Sequence, residues 1–266
     1  MFVVGTSAPG KNNLLATFVV QLVWSAVVSA PDPAQYDVFA EEYEAHAAVA
    51  PYNVLYDRPA TLRLVGDVEG RRVLDAACGP GFYLEALIAG GAEVVGCDAA
   101  RSMIDLARAR VGDQVELRVH SLDEPFTWIE EGSIDVVVCA LAYHDVSNRE
   151  GFLREVHRML RPGGALVIST HHPTADWQRL GGSYFDVATV TETWSKGWEI
   201  TTWRMPLSQM TDEFATAGFV IERLIEPTPE PAMRETHPDT YDRLSNEPAF
   251  VLFRLRPVPS SNSTSS

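Results

Sequence analysis

Two acids and a glycine turn are the chemically suggestive residues of this chain. Asp75 closes an apolar run, Val73-Leu74-Asp75-Ala76, and the chain then turns through Ala77-Cys78-Gly79-Pro80-Gly81 into a helical segment from Phe82. A second apolar run, Glu93-Val94-Val95-Gly96-Cys97, ends in Asp98. A strand, a tight turn and a helix N-terminus make a nucleotide-sized binding edge, and glycine lets a ligand approach the backbone. An acid ending the next strand suits a ribose diol. The dinucleotide pattern G-x-G-x-x-G fails here, because Leu84 stands at the third glycine position. A carboxylate at Asp75, ahead of the turn, would repel a pyrophosphate and suit an ammonium group. A ligand with a ribose at one end and an ammonium at the other describes S-adenosylmethionine.

Histidines at strand ends are the further candidates for chemistry. His144, in Cys139-Ala140-Leu141-Ala142-Tyr143-His144-Asp145, follows the fourth apolar run, at the sheet edge where ligands bind. It is the candidate general base, with Asp145 placed to orient the imidazole; a base is needed only where the acceptor must lose a proton. His171 and His172 end the fifth run, and one of the two should face substrate because neighbouring strand residues point to opposite sides. His144, His171, His172 and Asp176 have no diagnostic metal-ligand spacing, and no metal is expected.

The elements that must position these residues alternate. Strand runs Arg72–Ala76, Glu93–Cys97, Val115–Val119, Ile134–Ala140 and Ala165–Thr170 alternate with helical segments Phe82–Ala89, Ala99–Ala109 and Arg149–Leu160. Apolar strands alternating with helices predict an α/β fold, a doubly wound parallel sheet covered on both faces. Arg161-Pro162-Gly163-Gly164 reads as a helix stop ahead of the fifth strand. Upstream, Tyr36, Phe39, Ala40 and Tyr43 share one helical face, and a second helix spans about Pro59 to Leu64. These helices place Tyr36, Tyr43, Tyr52 and Tyr56 where they could close over a cofactor.

His171 to Met205 has no strand–helix alternation, yet it holds four of the six tryptophans: Trp177, Trp194, Trp198 and Trp203. The pattern Val190–Trp203, broken at Lys196-Gly197, predicts a hairpin within an aromatic cap. Tyr184, Phe185 and Trp194 are candidate walls for a flat or apolar substrate. A helix at Leu207–Ala217 and strands at Phe219–Glu226 and Ala249–Leu255 complete the sheet.

The formal net charge is −15 with no basic block, which disfavours a nucleic-acid partner. The three cysteines, Cys78, Cys97 and Cys139, lack disulfide or metal spacing and read as buried reduced thiols.

With these pieces together, residues 72 to 170 resemble a class I S-adenosylmethionine-dependent methyltransferase of the small-molecule, type 11-like kind. The resemblance rests on Val73 through Gly81, Gly96-Cys97-Asp98, Asp135-Val136-Val137-Val138 and Leu160-Arg161-Pro162-Gly163-Gly164. It implies a seven-stranded, Rossmann-like sheet whose last strand is antiparallel, and S-adenosyl-L-methionine as cofactor. By the same resemblance Asp75, Gly79 and Gly81 line the methionine portion, Asp98 holds the ribose and Met103 packs on the adenine. Ser121 and Leu122, with Asp123 close behind, stand where the adenine amino group is met, and Leu141 lines the cofactor after the fourth strand. The implied function is methyl transfer to an O, N, C or S atom of a small organic acceptor. An NAD-dependent oxidoreductase and a non-catalytic cofactor-binding module are the rivals.

The resemblance also bears on the ends of the chain. Residues 34–256 form the expected methyltransferase domain, with the cofactor-binding core at 72–170 and the cap at 171–205. Residues 1–33 are an apolar extension in which Leu14 to Val28 precedes a signal-like Val28-Ser29-Ala30. A secretion signal, a weak anchor and a misassigned start compete; the last is preferred, because the cofactor is cytoplasmic. A cytoplasmic protein without stable membrane association is therefore expected. The Pro/Ser-rich tail 257–266 should be disordered, and its Asn262-Ser263-Thr264 is a chance glycosylation match.

Overall fold

The computed structural model describes residues 30–258 except 114, 195 and 196. The signal-like stretch, Lys196 and the Asn262-Ser263-Thr264 match lie outside the described residues.

Strand β1 (Arg72–Ala76) takes the centre because both its faces are apolar: Val73, Leu74 and Ala76 are fully buried. It pairs in parallel with β2 (Glu93–Asp98) on one side and β4 (Ile134–Ala140) on the other, so Leu74 faces Val95 and Val137. β3 (Glu116–Val119) extends the sheet beyond β2, and β5 (Leu160–His171) beyond β4. β9 (Phe250–Pro257) then runs antiparallel to β5, and β8 (Phe219–Ile225) forms the edge. The order β3-β2-β1-β4-β5-β9-β8 is the expected seven-stranded, mostly parallel sheet.

Strand residues alternate between two cores, as the pleat requires. Val73, Val136 and Val138 pack under α2 (Arg58–Val65), α3 (Phe82–Ala89) and α4 (Arg101–Val111). Leu74 and Val137 face the opposite layer, α5 (Arg149–Met159) and α7 (Leu207–Thr216). Cys78, Cys97 and Cys139 are buried free thiols, as expected. Strand order reverses between β1 and β4, so the connections leave in opposite directions and a crevice opens at the carboxyl ends of these strands.

Three features depart from the sequence expectation. α5 ends at Met159, ahead of Arg161–Gly164; Leu160 is already extended and pairs with Ile134, so the four residues bulge out within β5. The upstream helical face is split into a 3₁₀ turn (Gln35–Phe39), α1 (Ala40–Ala47) and a wide π turn (Asn53–Asp57) that runs into α2. Two short helices, α8 (Met233–Thr236) and α9 (Pro238–Leu244), fill a stretch for which the sequence carried no expectation. Between β5 and α7 lie α6 (Pro173–Leu180) and the antiparallel hairpin of β6 (Ala188–Thr193) and β7 (Glu199–Arg204). No helix among the described residues is long and apolar enough to cross a membrane.

Candidate functional site

Two cavities meet at the crevice. The first, about 650 Å³, runs from Asp98, Ala99 and Met103 past Ser121, Leu122 and Asp123 to Leu141 and Asp145, roofed by Tyr36 and Tyr43. The second, about 450 Å³, holds Asp57, Arg58, Phe82 and Tyr83, and shares Tyr43, Ala77, Gly79, Ala140 and Leu141 with the first. They form one groove along the carboxyl ends of β1, β2 and β4.

The turn after β1 is tied to β2 by the Cys78 amide, which donates to Cys97 O at 2.8 Å. Gly79 has φ +53 with nothing within 4 Å of where a Cβ would stand, so it opens onto both cavities. Gly81 has a different role from the expected one. It lines neither cavity; its φ of +88 begins α3, and a Cβ there would stand 3.2 Å from Ala107 Cα of α4. It is glycine so that α3 can pack on α4.

Asp98 accepts from the Gly79 amide through Oδ2 and from the Ala100 amide through Oδ1, each at 2.9 Å. Burial nevertheless pushes its pKa up to about 6. Asp75 is buried and lines neither cavity, and neither of its carboxylate oxygens has a hydrogen-bond partner among the described residues. Burial, and secondarily the charge of Asp98, push it up to about 8.

Two non-glycine residues at the strand ends adopt left-handed backbone: Ala77 at φ +66 and Leu141 at φ +51. Such conformations cost roughly 1–2 kcal/mol each and concentrate at functional sites. Leu141 is held there by its amide, which donates to Ser169 O and Oγ at 2.9 and 3.1 Å. Ala77→Gly should therefore stabilise the protein by about 0.5 kcal/mol, strain relief exceeding the entropic cost, whereas Ala77→Val should lose about 2 kcal/mol. Urea denaturation reads both changes, and a less stable Ala77→Gly would refute the strain.

At the other end of the groove lies a cation that sequence reasoning missed. Arg58 is partly buried; its Nη2 donates to Ala47 O at 3.3 Å, its Nε has no partner among the described residues, and its guanidinium sits 4.4 Å over the Phe82 ring. The Arg110 guanidinium also lies over that ring, at 4.0 Å. Beside it, the buried Asp57 accepts from Tyr83 Oη at 2.5 Å and from Thr61 Oγ1 at 3.3 Å, and burial raises its pKa. Spacing rules do not link a residue so far upstream to the glycine turn.

The expected adenine contacts gather as a group. Met103, Ser121, Leu122 and Asp123 all line the first cavity, although Asp123 Oδ1 already accepts from the Ser147 and Asn148 amides. Met103 also packs against Ala40 and Tyr36, so its core and cavity roles coincide. Of the four tyrosines, Tyr36 and Tyr43 roof the groove, edge to face at 5.1 Å. Tyr56 is instead fully buried, accepting from the Ala249 amide, and Tyr52 lines a third cavity.

The segment after β4 forms a 3₁₀ turn, Tyr143–Asp145, whose side chains diverge. Tyr143 donates to Glu213 Oε2 at 2.6 Å, beneath the sheet edge. Asp145 points into the groove; its Oδ1 has no partner, and burial raises its pKa well above the carboxylate range. His144 does not line the groove. It is buried, with Nδ1 3.0 Å from Thr170 Oγ1 and its ring stacked on His171 at 3.8 Å. Asp145 Oδ1 is 4.0 Å from His144 Nε2, beyond hydrogen bonding, so Thr170 orients the ring in place of Asp145. Burial, then His171, lower the His144 pKa well below its usual value.

His171 and His172 diverge as strand neighbours must. His171 borders the third cavity together with Trp194. His172 caps α6, its Nδ1 accepting from the Thr174 amide at 3.1 Å and its Nε2 2.9 Å from Glu226 Oε1; both ring nitrogens are committed to the fold. Tyr184 sits apart from all these cavities, edge-on to Trp177, with Oη accepting from the Leu207 amide. Among the described residues no group of three or more His, Cys, Asp or Glu is arranged to hold a metal ion.

Comparison with known proteins gives this geometry a context. Residues 74–168 match the family profile described as a methyltransferase domain. Over 126 residues the chain is 32% identical to a demethylmenaquinone methyltransferase of Lactococcus lactis subsp. lactis, covering 44% of this chain and 49% of that protein. Over 110 residues it is 34% identical to a ubiquinone biosynthesis O-methyltransferase of Bordetella avium, covering 40% of this chain and 45% of that protein. The chain thus spans about half the length of the curated relatives it matches. A crystal structure of an S-adenosylmethionine-dependent methyltransferase from Mesorhizobium loti superposes with a TM-score of 0.63 at 23% identity, covering 79% of this chain and 99% of that one, which establishes a common fold.

Proposed function

We propose, from the premise that the core of this chain belongs to the class I S-adenosylmethionine-dependent methyltransferases, that it transfers the cofactor's methyl group to a small organic acceptor. The observation that carries this reading is the polarity of the groove. It has a carboxylate, Asp98, at one end and a partnerless guanidinium nitrogen, on Arg58, at the other. A nucleoside joined to an amino acid has the matching order: ribose hydroxyls to donate to Asp98, and a carboxylate to accept from Arg58. Buried polar atoms without partners, Arg58 Nε and Asp145 Oδ1, are what a site built for such a ligand would present.

In this reading Leu122 and Met103 sandwich the adenine, and Ser121 or Asp123 meets its amino group. When bound, the cofactor supplies an electrophilic methyl carbon on a sulfonium. The residues here then have three tasks. Gly79 and the left-handed Ala77 and Leu141 let the ligand lie against the backbone. The tyrosine faces offer negative potential to a cation, and the unpartnered Asp145 Oδ1 offers a lone pair. The roof of Tyr36 and Tyr43, braced by Phe39 stacked on Trp198 at 4.7 Å, excludes water. The acceptor atom is an O, N, C or S, and an acidic protein of charge −15 favours a small molecule over nucleic acid.

Calorimetric titration with S-adenosylmethionine, S-adenosylhomocysteine and NAD tests the reading. Binding of the first two, with no NAD binding, is expected; tight NAD binding alone would overturn it. Transfer of labelled methyl into a native metabolite extract then identifies the acceptor.

A further inference from the structure

Three acids line the first cavity, Asp98, Asp123 and Asp145, and among the described residues no Lys, Arg or His lines it. Backbone amides satisfy two of them: Asp98 accepts from Gly79 and Ala100, and Asp123 from Ser147 and Asn148. Asp145 has no such support. Its side chain is 17% exposed and lines the groove, yet Oδ1 is buried and accepts no hydrogen bond. His144 Nε2 stands 4.0 Å from that oxygen, but burial, then His171, lower the His144 pKa well below its usual value, so the ring supplies no counter-charge. A buried carboxyl with neither partner nor counter-ion is costly, and such groups are kept where a ligand completes them.

Asp145 also stands where the reacting atoms must meet. With the ribose at Asp98 and the amino-acid carboxylate at Arg58, the sulfonium lies between them, where the two cavities share Tyr43, Ala77, Gly79, Ala140 and Leu141. Asp145 follows Leu141 by one short turn and lines the same first cavity. After burial itself, the charge of Asp145 does most to raise the pKa of both Tyr36 and Tyr43, which puts it under their roof. An acceptor held by Asp145 therefore shares its cavity with the cofactor, with no wall between them.

We propose that Asp145, under Tyr36 and Tyr43, is the acceptor-binding carboxyl of this groove, and that the acceptor it takes is a basic amine. This rests on the methyl-transfer reading above. A cavity of three acids without a protein cation draws in an ammonium and repels a phenolate, carboxylate or phosphate. The tyrosine faces suit an ammonium and its methylated product alike. An amine attacks only as the free base, so the ammonium proton needs a receiver. Amine and carboxyl share one proton here. Burial, and secondarily Asp98, raise the Asp145 pKa well above the carboxylate range, which moves that proton towards Asp145 and frees the nitrogen lone pair. The groups facing Asp145 are Asp98, Tyr36, Tyr43 and His144, none of them a counter-cation. In the transfer the lone pair forms the bond to the methyl carbon, and the electron pair of the broken carbon–sulfur bond stays on sulfur. The methylated ammonium then leaves, and Asp145 yields its proton to water.

The probes are benzylamine and butylamine, each titrated beside its alcohol into the protein saturated with S-adenosylhomocysteine, with benzoate as the anionic control. At least one amine should bind about tenfold or more tightly than its alcohol, as a charge-assisted contact does, and benzoate should not bind. Asp145→Asn keeps the shape and should abolish that advantage, while alcohol affinity changes less than about threefold. With labelled S-adenosylmethionine the parent should methylate the amine on nitrogen, and Asp145→Asn should lose about 100-fold in kcat/KM. Asp145→Ser is a second variant with the same expectations, and circular dichroism shows that each is folded. S-adenosylhomocysteine affinity should stay within about fivefold in both. Amines that bind no better than their alcohols, or an advantage that survives both substitutions, overturn the proposal. So does a folded variant that loses S-adenosylhomocysteine as severely as the amine, which would place Asp145 on the cofactor. Failure of the parent to bind S-adenosylhomocysteine, with the amine preference intact, would instead defeat the methyl-transfer reading.

Discussion

Asp75→Asn should make the cofactor-free protein more stable at neutral pH by about 3 kcal/mol, raising Tm by about 8 °C. The Asp75 carboxyl is 1% exposed, has no partner on either oxygen and is pushed up to about 8 from 3.8. Between those two pH values the folded chain holds a proton that the unfolded chain has released. Folding therefore becomes less favourable as pH rises, by about 1.4 kcal/mol per unit, and the loss is complete only above the folded value. Asparagine has the same shape without the titration. Asp57, Asp98 and Asp145 are raised in the same direction and shape the total profile, so the quantity to read is the difference between parent and variant across pH 5 to 8. Parallel profiles for the two proteins would show that Asp75 is not the source.

The frame of this site was legible in the sequence because its determinants are local. Val136-Val137-Val138 is apolar at consecutive positions, which only a strand covered on both faces requires, and the glycine-bracketed turn after Asp75 marks where the strand must stop. What stayed hidden depends on orientation or on distant chain. His144 was placed correctly at the sheet edge, but no periodicity sets which way a residue in a single 3₁₀ turn points, and it faces Thr170. His171 and His172 were expected to diverge, yet which of them faced a cavity depended on α6, whose N-terminus captures His172. Arg58 opens α2 directly after a π turn, Asn53–Asp57, which no spacing pattern in the sequence announces, and there it lines the groove. Tyr184 belonged to an irregular loop, where aromatic content signals burial against something without saying what. Gly81 was recognisable as a turn residue, but its contact with Ala107 is tertiary.

Asp98→Ala should weaken S-adenosylmethionine binding by about 3 kcal/mol, roughly 150-fold. The carboxylate has two duties at once. It accepts from the Gly79 and Ala100 amides, which fixes the turn against the end of β2, and in the proposed function its remaining lone pairs accept from the ribose hydroxyls. Asparagine should not rescue the variant, because its amide nitrogen would face a backbone N–H, donor against donor. The two duties separate in a thermodynamic cycle. If Asp98 holds the diol, the parent should prefer adenosine to 2′,3′-dideoxyadenosine by at least tenfold, and Asp98→Ala should bind the two alike. If Asp98 only shapes the turn, both ligands weaken equally in the variant and the preference persists. The pH dependence gives a second handle. Burial pushes the Asp98 pKa up to about 6, so adenosine affinity in the parent should decline below that pH as the acceptor is lost. Asp98→Ala should show no such decline. A variant that keeps both its affinity and its preference for adenosine would remove Asp98 from the site, and with it the polarity on which the orientation of the cofactor rests.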